Sequence, residues 1–194
     1  MKKTEVKTAE AAKMSAREPR ETSERELRGK SRFYATVDRM ENGFMGRAIE
    51  LAVDNVRSGK GGPFAALVTR DSEILAAGTN LVTSANDPTA HAEVVAIREA
   101  CRKLAHFQLS GCDLYTTCEP CPMCLGAIYW ARPARVFFGA LAADAAAAGF
   151  DDAFIYQQLA VPGPKRSIPM LPLLREEALA AFREWEKKEG RVLY

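Results

Sequence analysis

The chain has 194 residues, 47% hydrophobic and 27% charged, which suits one domain with a buried core. A formal net charge of +2 makes no case for nucleic acid or a membrane surface as the main partner. No apolar run approaches the roughly 20 residues that span a bilayer, and the N-terminus lacks the apolar core of a secretory signal. A cytoplasmic protein is therefore expected. Three of the five cysteines crowd into Cys118 to Cys124, a pattern for metal or catalytic chemistry rather than a disulfide framework.

Residues 1 to about 36 are dominated by Lys, Arg and Glu and have few large apolar side chains. Such a stretch buries too little to offset its ordering entropy, so it is expected to be mostly disordered, ahead of one domain over 37–194. Its interleaved glutamates argue against an RNA-binding arm or an organelle transit peptide. Phe44, Ala48, Leu51, Ala52 and Val56 then recur at helical spacing, ending near Ser58-Gly59. Phe64 to Thr69 and Ile74 to Gly78 flank a turn at Arg70-Asp71-Ser72-Glu73 and predict a hairpin. Asp87-Pro88-Thr89 offers helix-start chemistry before a helix over His91 to Leu104. A strand over Asp113 to Thr117, a helix over Pro122 to Ala131 and a strand over Arg135 to Gly139 follow. Ala178, Leu179, Phe182 and Trp185 stripe a last helix. A hairpin followed by strand–helix alternation implies an α/β fold, with a mixed sheet flanked by helices.

The chemistry concentrates in His91-Ala92-Glu93 and Pro120-Cys121-Pro122-Met123-Cys124. Cysteines three apart in one helical turn project the same way and can share an ion. Pro122 belongs in a first helical turn, where its missing N–H costs nothing, and the positive helix end favours thiolates. With His91 at the start of another helix, two helix N-termini can converge on one Zn2+. One imidazole and two thiolates leave a fourth position for water, as a catalytic zinc needs. Two thiolates cancel the ion's formal charge, which weakens acidification of that water and calls for a neighbouring base. Glu93 is placed to be that base, and the H-x-E with P-C-x-x-C pattern is the one used by zinc deaminases. The alternative is a structural four-ligand site completed by Cys118, which leaves Glu93 unexplained.

The sequence resembles the bacterial guanine deaminases of the cytidine-deaminase-like fold. The resemblance runs through Gly61-Gly62-Pro63-Phe64, Asn86 to Glu93, Cys118 to Cys124, Ala127 to Pro133 and Gly149-Phe150-Asp151-Asp152. It implies a three-layer α-β-α fold, zinc on His91, Cys121 and Cys124, and Glu93 as proton shuttle at C2 of guanine. It further implies that Asn80, Phe64, Ala92 and Trp130 contact the purine. Asp152 would recognise the guanine edge and assist proton transfer, although a helix N-cap is its plainer role. Tyr194 would close the site, in some relatives from the partner of a swapped homodimer. Guanosine deaminase and tRNA adenosine deaminase are the rival enzymes, and a non-catalytic zinc or RNA-binding module is the rival of another class.

Overall fold

The computed structural model describes residues 24–193, with side chains from Arg39 onward. It divides into units Met1–Asp38 and Arg39–Tyr194. Of the first, only helical backbone from Glu24 is described, so the expectation for the charged extension lies outside the described residues up to position 23. From Glu24 the described backbone is helical. Everything below concerns the second unit.

Helix α1 (Glu24–Arg57) ends where the glycine-rich stretch begins. Strands β1 (Ala65–Arg70) and β2 (Glu73–Thr79) form the expected hairpin. Asp71 and Ser72 both have positive φ, 51° and 66°, the backbone hand that matches the twist of paired strands. A short helix α2 (Val82–Ala85) precedes α3 (Ala92–Leu104). The latter matches the helix expected over His91 to Leu104 within one residue, and Asp87-Pro88-Thr89 lies ahead of it. Asp87 Oδ1 instead accepts both the N–H and the hydroxyl of Thr89, at 2.8 and 2.7 Å, and shapes a turn. Then come β3 (Asp113–Cys118), α4 (Pro122–Ala131) and β4 (Arg135–Ala140).

The sheet order is β2-β1-β3-β4, antiparallel except for the β3–β4 pair, so it is mixed. Side chains alternate between two cores, as the two-residue strand period requires. Ala66, Val68 and Leu114 face α3 and α4, meeting Ala92, Ala96, Ala100 and Ile128. Leu67 and Tyr115 face the other way, onto Phe44, Ala48 and Leu51 of α1. The three-layer α-β-α arrangement follows from these two packed faces.

After β4 the packing changes. Helices α5 (Ala142–Ala147), α6 (Ala153–Ala160) and α7 (Arg175–Lys187), with a 3₁₀ turn at Gly163–Lys165, contain no buried residue. The stripe expected on the last helix is present, but Phe182 is 62% exposed.

Candidate metal centre and active site

Two helix starts build the site. His91 is the extended residue before α3, and Cys121 is the extended residue before α4, with Pro122 in the first turn. Gly78 lets α3 approach β2, because a Cβ there would lie 2.4 Å from the carbonyl oxygen of Ala92. The two N-termini thereby meet over the sheet. His91 Nδ1 lies 3.5 Å from Cys121 Sγ and 3.6 Å from Cys124 Sγ. Tetrahedral zinc, with bonds of about 2.3 Å to sulfur and about 2.0 Å to nitrogen, separates such donors by about 3.5 Å. The donor set and its spacing therefore fit zinc, and these three residues could hold it.

Cys118 does not complete a four-ligand cage. Its Sγ–H is directed 3.7 Å to the Leu141 carbonyl, and it is not among the three clustered ligands. Burial holds its thiol up. Cys121 is pulled down to about 4 by the hydrogen bond from Cys124, assisted by His91. That same bond, then burial and Glu93, pushes Cys124 up. His91 is raised, first by its bond to Cys121.

Glu93 is 6% exposed, inside the first turn of α3. Its Oε1 accepts the Thr116 hydroxyl at 3.0 Å, and Oε2 lies 3.4 Å from Cys124 Sγ. Burial pushes its carboxyl up, and hydrogen bonds from Thr116 and Cys124 temper the rise. A buried carboxyl with a raised affinity for protons, beside a metal site, suits proton transfer near neutrality.

A cavity of about 590 Å³ opens onto His91, Ala92, Glu93 and Cys121, and is also lined by Phe64, Asn80, Phe150 and Asp152. Val82 N–H donates to Asn80 Oδ1 at 3.3 Å, which leaves the Asn80 Nδ2 group as the donor for the cavity it lines. Phe64 meets Phe150 edge-on at 4.9 Å. Asp152 precedes α6 but makes no capping bond, and Asp151 Oδ1 accepts the Ala153 N–H. The plainer role considered for Asp152 thus belongs to its neighbour. Asp152 is pushed up, first by burial and then by Cys121.

Trp130 is elsewhere. It is 62% exposed and lines a separate apolar groove with Val94, Ile97 and Phe107. It stands nine residues along α4 from Cys121, and at 1.5 Å per residue that is about 13 Å from the metal end. Tyr194 lies outside the described residues. Two positions carried no signal in the sequence. Buried Asn55, in α1, donates to the carbonyls of Gly62 and Asn80 at 2.9 and 2.8 Å, clamping both cavity loops. Thr116 reaches Glu93 from across the sheet.

Paired helix N-termini that bring an imidazole and two thiols together, beside a buried carboxylate that lines the cavity, define a metal-dependent hydrolytic deaminase. Residues 39–140 match the cytidine and deoxycytidylate deaminase zinc-binding region, and the chain belongs to that family. It is similar to the guanine deaminase of Bacillus subtilis (strain 168), with 55% identity over 151 residues, 78% of this chain and 97% of the relative. The X-ray structure of guanine deaminase from Bacillus subtilis superposes with a TM-score of 0.77 at 52% identity, covering 79% of this chain and 98% of that one. A guanine deaminase structure from Nitrosomonas europaea gives a TM-score of 0.54 at 35% identity over 73% of this chain and 81% of that one. A tRNA-specific adenosine deaminase of Bacillus subtilis (strain 168) is 35% identical over 66% of this chain and 80% of its own length.

Proposed function

We propose that the protein is a zinc-dependent guanine deaminase, hydrolysing guanine to xanthine and ammonia. The observation that carries this reading is the polar complement of the cavity. An uncapped Asp152 carboxylate and an Asn80 amide donor line the same space as Glu93. Guanine offers N–H donors at N1 and the 2-amino group and acceptors at O6 and N7, so a carboxylate and an amide N–H match its edge. Adenine reverses the pattern at N1 and C6, and would set a lone pair against a carboxylate.

Zinc, when bound by His91, Cys121 and Cys124, supplies Lewis-acid activation of the attacking water. Glu93 takes one proton from the attacking water and delivers it to the ring nitrogen beside C2; the second proton, from the hydroxyl then on C2, passes through Glu93 to the amine, which leaves as ammonia. Burial excludes bulk water from Glu93, so the proton it holds is kept for substrate. Ala92 backs the cavity between ligand and shuttle, and Phe64 offers an aromatic face to the ring.

The working form is a homodimer. Exposed Phe154, Leu159, Leu171 and Phe182, on a segment whose helices bury nothing, support seating of residues 141–193 on a second copy. Tyr194 would then close the site within its own chain or in the partner. Five free thiols support a reducing, cytoplasmic compartment. No helix among the described residues is long and apolar enough to cross a membrane.

Ammonia release from zinc-loaded protein, with guanine, guanosine, adenine, cytosine and cytidine in parallel, tests the assignment. Guanine is expected to dominate. A cavity of about 590 Å³ has room beyond a purine ring, so guanosine preferred over guanine would move the protein to nucleoside deamination.

A further inference from the structure

Thr116 sits in β3, opposite Ala66 of β1 and Phe138 of β4, with its side chain on the face that receives α3. It is 1% exposed and does not line the cavity, so substrate does not reach it. Its hydroxyl donates to Glu93 Oε1 at 3.0 Å. The other carboxylate oxygen, Oε2, is the one beside Cys124 Sγ, at 3.4 Å. The two oxygens of Glu93 are therefore not equivalent: one is held by a donor from the sheet, and the other is on the metal side.

A carboxylate in a first helical turn has three rotatable bonds, and holding one orientation costs entropy unless a partner fixes it. A hydroxyl donating to one oxygen restrains the carboxylate and makes that oxygen the less basic of the two. We propose that Thr116 is a positioning residue for the shuttle: it holds Oε1 so that Oε2 carries the proton between water and substrate. The proposal rests on Glu93 being that shuttle. It assigns β3 a part in the reaction that neither the metal motif nor the cavity lining reveals. Small departures from a reactive geometry are costly, and a loose carboxylate is such a departure.

The test compares Thr116→Val, Thr116→Ser and Glu93→Gln, each purified with zinc and assayed for zinc per chain, melting temperature, and kcat and KM with guanine. Val keeps the shape and loses the donor, whereas Ser keeps the donor. The expected result is a kcat in Thr116→Val lowered about tenfold or more, a KM within about twofold, and unchanged zinc. Thr116→Ser should recover most of the lost kcat, and the Val change should add nothing in a Glu93→Gln background. Wild-type kcat in zinc-replete Thr116→Val overturns the proposal, as does a loss that follows zinc content or that Ser fails to rescue. Should Thr116→Val not fold, Thr116→Ser with the Glu93→Gln double variant decides: a Ser variant as slow as Glu93→Gln overturns it. An active Glu93→Gln protein would instead remove the shuttle assignment beneath it.

Discussion

The molecule contrasts two regions, the layered body through Ala140 and the segment from Leu141 to Leu193. In the body, strands alternate between two cores, and Glu93, Thr116 and Cys124 are buried there, with Glu93 facing the cavity. In the segment no helix buries a residue, yet Asp152 and Phe150 come from it and line the cavity. The proposed reacting groups thus rest on packed elements, and part of the cavity lining comes from a region whose own packing is thin. Bond-making chemistry demands precise geometry, whereas discrimination among bases can be carried by one or two charged contacts. The two regions should therefore fail in different ways when altered.

The largest effect is expected in the body. Glu93→Gln should lower kcat by about 10²- to 10⁴-fold while zinc content and melting temperature stay near wild type. Metal analysis beside steady-state rates checks this, and a variant that loses its zinc would mean that the carboxylate also supports the ligands.

Asp152→Ala probes the other region. Loss of one charge-assisted contact, worth about 1.5–3 kcal/mol, should reduce kcat/KM for guanine by about ten- to a hundredfold and leave zinc binding unchanged. Because Asp151 supplies the cap, the variant should fold as well as wild type. Unchanged guanine turnover would remove Asp152 from the site.

Gly78→Ala asks whether the body tolerates any loosening at the metal. The added carbon meets backbone of α3 at 2.4 and 2.5 Å, so the helix must shift. An overpacking cost of about 1–3 kcal/mol by chemical denaturation is expected, together with weaker zinc retention. Full stability and full metal affinity would show that α3 is not held as closely as the contact implies.

The smallest effect concerns Tyr115, stacked on Phe137 at 4.7 Å under α1. Burial first, and then Asp113 and Glu41, push its hydroxyl up to about 12. The folded state keeps the proton longer than the unfolded one, so this contribution is complete below about pH 10 and is lost as pH rises through about 12. Denaturation curves should lose up to about 2 kcal/mol across that window, and Tyr115→Phe should flatten that part of the profile. An identical slope in the variant would place the alkaline sensitivity elsewhere.

Much of the body was legible in the sequence. The hairpin, β3, α4 and β4 fall within a residue or two of their expected bounds, because each carries its own period and its own turn chemistry. The metal ligands were legible for a similar reason: Cys121 and Cys124 are neighbours on one helical turn, so their spacing already states their geometry. Helix α3 was likewise legible to within a residue, while Asp87, read as helix-start chemistry, shapes the turn ahead of it.

Contacts between distant stretches were not legible. Sequence period says which face a residue takes, but not which side chain from another element meets it there. The 3.0 Å bond between Thr116 and Glu93 joins positions 23 residues apart, and the Asn55 clamp on Asn80 spans 25. The placement of Trp130 away from the cavity likewise depends on how far α4 carries it from the metal end. The residue order by itself determined the elements, the fold class and the Cys121–Cys124 pair, which follow from local spacing, and His91, 30 residues from Cys121, through its motif rather than its distance along the chain. The tertiary structure alone decided how the Glu93 carboxylate is held, which aspartate makes no capping bond and which aromatics reach the cavity, because those depend on where separate elements pack.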